Sequence, residues 1–148
     1  KLIAVAEQRG DSTLQIKYAN AFEEKASNPL YGNMYNKYLI QLYTGILNKP
    51  ARAEAIAVKE LENRNTPQTY AWYVWTLLNN NKPQEAYSMY EKHVSGKPLE
   101  GLELYWMGML MQSLNKGFNA KQYFEEANKN VYDLNPEVVS QLNSFLEK

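Results

Sequence analysis

Residues 67–116 read PQTYAWYVWTLLNNNKPQEAYSMYEKHVSGKPLEGLELYWMGMLMQSLNK, and this stretch decides the fold. It holds one helix–turn–helix unit and the first half of a second. Tyr70, Tyr73, Leu77, Ala86 and Tyr90 follow the order large, large, large, small, large that a packed helical hairpin needs. Leu104, Met107, Met111, Ala120 and Phe124 repeat that order, each 34 positions later, and the turn residues Asn81 and Asn115 are also 34 apart. A fixed period of this length with helical patterning inside it marks stacked helical hairpins, a solenoid whose copies bury one another's faces.

Upstream, the turn Asn48-Lys49-Pro50 precedes Asn81-Lys82-Pro83 by 33 positions. Asn tolerates the left-handed conformation that ends a helix, and Pro suits the first turn of the next. Ala53, Ala57 and Leu61 align with Ala86, Tyr90 and Val94 at the same offset, and Ala53, Ala55 and Ala57 allow two helix backbones to approach closely. Thr66-Pro67 reads as an N-cap followed by an N1 proline. The pattern predicts helices at 2–8, 12–26, 34–47, 51–63, 67–80, 83–95, 99–114, 117–131 and 136–146, about nine in all, with no strands. The organisation is one domain: a degenerate or truncated pair at 1–32, repeats at 33–66, 67–100 and 101–134, and a capping helix at 135–148. Val138, Val139, Leu142, Phe145 and Leu146 form the packed side of that cap.

Composition narrows the function. The 148 residues carry 16 basic and 16 acidic side chains, so charge gives no reason to expect nucleic acid or an anionic membrane as partner. No apolar run approaches the roughly 18 residues of a membrane span. The absence of cysteine excludes thiolate metal sites and leaves the compartment open. The chain begins at Lys1, which suggests a processed N-terminus, and any signal peptide would precede it. Aromatic residues make up 13%, with 12 Tyr, enough to fill wide gaps between helices or to line a recognition surface.

The spacing resembles the tetratricopeptide repeat family. Tyr70, Tyr73, Leu77, Ala86, Tyr90 and Pro98 match its pattern in one repeat. Leu104, Met107, Gly108, Met111, Ala120, Phe124 and Ala127 match it better in the next. Val74 and His93 stand where the family has small residues. The runs Asn63-Arg64-Asn65-Thr66-Pro67 and Leu104-Tyr105-Trp106-Met107-Gly108-Met109 look like the C-terminal portion of longer bacterial proteins of this type. The resemblance implies a right-handed α-α superhelix and a binding scaffold without catalysis, gripping a peptide or protein on the concave face made by the first helix of each pair.

Helix geometry locates that face. If Tyr70, Tyr73 and Leu77 point at the partner helix, Ala71, Trp75 and Leu78 lie about 100° round, on the inner wall. The equivalent positions are Tyr38, Leu42 and Gly45 in the repeat before, and Tyr105, Met109 and Gln112 in the repeat after. This wall is apolar and aromatic, suited to an apolar peptide segment or a helix. The same aromatics could instead pack on one another. Trp72 and Trp106, equivalent across repeats, read as core between repeats, and His93 reads as a helix-interface residue. Glu23-Glu24, Glu60-Glu62 and Glu125-Glu126 lie near Lys25, Lys59, Lys121 and Lys129 and read as solvated faces. No nucleophile–base set, phosphate loop or metal motif is present, so neither an enzyme nor a cofactor is expected. Two other readings stay open: a glycan or small-molecule binder using Trp and Tyr platforms, and a module that self-assembles or docks within a larger chain.

Overall fold

The computed structural model describes residues 12–26, 35–130, 134 and 136–146. Among these it is all-helical, with eight helices: α1 (Ser12–Ala26), α2 (Asn36–Thr44), α3 (Pro50–Asn63), α4 (Pro67–Asn79), α5 (Pro83–His93), α6 (Gly101–Ser113), α7 (Gly117–Asn128) and α8 (Pro136–Leu146). The ninth expected helix, at 2–8, lies outside the described residues.

The turns form for the reason their sequence implies. Asn48, Asn81 and Asn115 have φ of 48°, 62° and 59°, the left-handed region that Asn enters at low cost. Each closes the same loop, its N–H donating to Gly45 O, Leu78 O or Gln112 O at 3.1–3.2 Å. A lysine follows each Asn and reaches back to the preceding second helix. Lys49 Nζ lies 3.8 Å from Glu23 Oε2 on α1, and Lys82 Nζ lies 3.2 Å from Glu54 Oε1 on α3. Lys116 Nζ sits 5.1 Å over the Tyr87 ring on α5. At the head of α4, Thr66 caps as expected, its hydroxyl accepting from Thr69 N at 3.2 Å ahead of Pro67.

Helix ends differ from expectation by a few residues. α2 stops at Thr44, not at 47, because Gly45 leaves the helical region, with φ −110° and ψ −114°, and Leu47 N closes a wide turn onto Leu42 O at 2.9 Å. α6 starts at Gly101, not at 99, because Glu100 is extended, with φ −81° and ψ 171°.

The helices pack as sequential hairpins: α2 on α3, α4 on α5, α6 on α7, with α3 against α4 and the first helices α2, α4 and α6 in contact in turn. One main core runs from Ala26 to Leu142. A smaller cluster of Ala19 and Leu42, edged by Tyr18 and Tyr38, joins α1 to α2. Ala53, Ala86 and Ala120 are buried where small residues were needed. Gly108 is required by close approach: a Cβ there would stand 2.5 Å from Phe124 Cε1. α8 buries Leu142 and stacks Phe145 on Phe124, with centroids 4.8 Å apart and planes at 5°.

One reading is corrected. Glu60 is not on a solvated face beside Glu62; it is 2% exposed. Its Oε2 accepts from Asn36 Nδ2 at 2.6 Å and its Oε1 from Arg64 Nε at 2.9 Å, so the carboxylate ties α3 to α2.

Candidate functional site

Three ranks of residues along α2, α4 and α6 make up the expected inner wall, and the structure treats the ranks differently. The rank nearest the helix N-termini is Tyr38, Ala71 and Tyr105. Ala71 and Tyr105 are buried, and Tyr38 is half-buried. Tyr38 turns back onto α1, its ring 4.7 Å from Phe22 at 64°. Tyr105 turns onward, its hydroxyl donating to Gln141 on α8 and its ring 5.9 Å from Phe124. The middle rank is Leu42, Trp75 and Met109, of which Leu42 is buried and the other two are half-buried. The last rank, Gly45, Leu78 and Gln112, has Gly45 and Gln112 exposed and Leu78 half-buried. Exposure therefore rises along the first helices, and the open part of the wall is Trp75, Leu78, Met109 and Gln112 at their C-terminal ends.

A polar network closes the other end. Glu103, in the first turn of α6, is 0% exposed. Its Oε2 takes Lys37 Nζ from α2 at 3.0 Å, Trp72 Nε1 from α4 at 2.8 Å, and the Gln68 side-chain amide. Lys37 also reaches Glu100 Oε2 at 3.3 Å. Three successive first helices are thus joined through one carboxylate, with Ala71 beside the network. Oε1 of the same carboxylate is buried without a hydrogen-bond partner among the described residues. Sequence reasoning missed Glu103. Its signal was a lone acid in a helix apolar on every side, where no face is left for solvent. Lys37 and Gln68 carried no such signal, because both are ordinary residues for an exposed first turn.

The tryptophans are all engaged. Trp75 stacks on Trp106, with centroids 5.3 Å apart and planes at 4°, and its Nε1 donates to Thr44 Oγ1 at 3.0 Å. Trp75 therefore wedges α2, α4 and α6 together while showing solvent only part of its ring. Trp72 and Trp106 are buried between repeats, as read. His93 stacks on Tyr70 across α4 and α5 at 3.8 Å and 8°.

A second concavity, of about 610 Å³, lies among the second helices and is lined by Tyr90, Lys97, Leu104, Asn119, Gln122 and Tyr123 among others. The Tyr90 and Tyr123 hydroxyls are hydrogen-bonded to each other. Burial, then the Tyr90 contact, holds the Tyr123 phenol well above its ordinary value of 10.0. Among the described residues no group of three or more His, Cys, Asp or Glu could hold a metal ion, and no helix is long and apolar enough to cross a membrane.

Comparison of the chain with protein-family models, curated proteins and solved structures finds no match in any of the three.

Proposed function

We propose that this chain is a non-catalytic binding scaffold of the tetratricopeptide type, holding a peptide or protein segment against the C-terminal ends of its first helices. The observation that carries this reading is the graded exposure of the inner wall. In its first rank Ala71 and Tyr105 are buried and Tyr38 is half-buried against Phe22, while Leu78, Met109 and Gln112 stay accessible beside the Trp75–Trp106 stack. A fixed aromatic pair flanked by a flexible Met and an aliphatic side chain suits an apolar anchor residue. The threefold left-handed Asn turn supports the repeat register behind it. Engagement of all three Trp rings inside the fold favours a peptide groove over an indole platform for sugars.

Trp75 and Tyr105 are part of the packing, so replacing them would confound binding with folding. The informative variant is Leu78→Glu combined with Met109→Glu. Peptides selected from a random display library by the intact protein should include apolar or aromatic anchors. They should bind the double variant at least about tenfold more weakly, the effect of losing one buried anchor contact. Selected peptides that bind the variant equally well, at unchanged helicity, would refute this placement.

A further inference from the structure

We propose that the cleft between α5 and α7 is a separate binding site for a neutral oligosaccharide. Its volume of about 610 Å³ falls within the range of ligand sites, roughly 300–1,000 Å³. One wall is a single face of α7, where Asn119, Gln122 and Glu126 follow at i, i+3 and i+7. Asn119 and Gln122 are exposed, and their carboxamides have no hydrogen-bond partner among the described residues. Lys97 lines the cleft with Glu126, so the lining carries one charge of each sign and no net charge to select an ion. Glu126 is further neutralised by Lys129 at 3.2 Å.

The remaining chemistry is bifunctional. A carboxamide and a phenol each donate and accept, and so does a sugar hydroxyl. Adjacent hydroxyls of a sugar ring can take the N–H and the C=O of one carboxamide together. In the Tyr90–Tyr123 pair one hydroxyl donates to the other, which leaves the second hydrogen free for a ligand. The half-buried Tyr123 ring, with the small accessible edges of Leu104 and Tyr90, supplies apolar surface for the C–H face of a sugar. An extended peptide would use the same amides but also needs separate pockets for alternating side chains. A peptide is therefore the competing occupant that the test has to separate from a sugar.

The site shares no residue with the first-helix strip, so either assignment can fail alone. The test is a titration of the isotope-labelled protein with maltotriose, cellotriose, xylotriose and mannotriose, and with blocked tetra-alanine as the peptide arm. Backbone signals of Asn119, Gln122 and Tyr123 report on the cleft, and those of Leu78 and Met109 on the strip. At least one trisaccharide should shift the cleft signals saturably at millimolar concentration. The double substitution Asn119→Ala and Gln122→Ala, at exposed positions, should weaken that binding about tenfold or more, as loss of two hydrogen bonds implies. Overturning results are no cleft shift with any trisaccharide, shifts unchanged in a helical double variant, or shifts with tetra-alanine alone.

Discussion

Glu103 on α6 gathers donors from α2 and α4 on one carboxylate oxygen, while the other is buried without a hydrogen-bond partner among the described residues. A buried carboxylate is tolerable only when its partners stay in place, and the partners suffer equally when it leaves. Glu103→Ala would strand the buried Trp72 N–H and the Gln68 amide, at about 1–3 kcal/mol for each unsatisfied group. The expected loss is about 3 kcal/mol, read as a lower urea midpoint. Glu103→Gln should lose less, because its carbonyl can still accept from Trp72. Equal losses in the two variants would mean that volume, not hydrogen bonding, is what the site needs. The turn asparagines obey a simpler rule. Asn81 sits at φ 62°, where a Cβ without a local polar group is disfavoured by about 1–2 kcal/mol. Asn81→Ala should lower stability by about 1 kcal/mol, while Asn81→Gly should be close to neutral. Thermal unfolding of the pair distinguishes a backbone effect from loss of a side-chain contact.

At the scale of elements, the second helices α5 and α7 are joined by a phenol pair. Burial holds the Tyr123 proton, and the neighbouring Tyr90 reinforces it. Tyr43 is raised by burial and then by Glu23, and Tyr73 by burial and then by Glu85 and Glu54. All three shifts have the same sign. Each folded phenol keeps its proton above 10.0, where the unfolded chain has begun to lose it. The unfolded state then binds fewer protons, so stability is fully present below pH 10.0 and declines as pH rises above it. Phenolate absorbance from these residues should therefore appear together with loss of helicity. Tyr123→Phe should move the alkaline midpoint upward. Early phenolate formation with helicity intact would show that burial does not hold the Tyr123 proton.

At the scale of the whole molecule, α8 covers the outer face of the α6–α7 hairpin. Leu142 is fully buried, Phe145 stacks on Phe124, and Gln141 takes the Tyr105 hydroxyl, so α8 seals the end of the α6–α7 hairpin. Burying one Leu side chain contributes about 1.5–3 kcal/mol, against a net stability of about 5–15 kcal/mol for a typical domain. Truncation after Leu134 should lower the thermal midpoint by several degrees and produce concentration-dependent association in sedimentation velocity, through the uncovered Tyr105 and Phe124. A truncated chain that stays monomeric with an unchanged midpoint would show that α8 is dispensable.

The helical hairpins were legible because their determinants are local. Apolar spacing at three and four residues sets each helix, Asn at 48, 81 and 115 sets each turn, and small residues at 53, 86, 108 and 120 mark where neighbouring helices leave no room for a larger side chain. The inner wall was legible only as a set of equivalent positions. Which of them remain open depends on what lies across the gap, as with Phe22 against Tyr38 and Gln141 on Tyr105. Glu60 shows the same limit, since its neighbour Glu62 is exposed while Asn36, on another helix, draws Glu60 inside. Sequence alone determined the period, the helices and their turns, because backbone preferences and side-chain periodicity act within a few residues. Tertiary structure decided which side chains are buried and which face solvent, because burial is set by residues from helices distant in the chain.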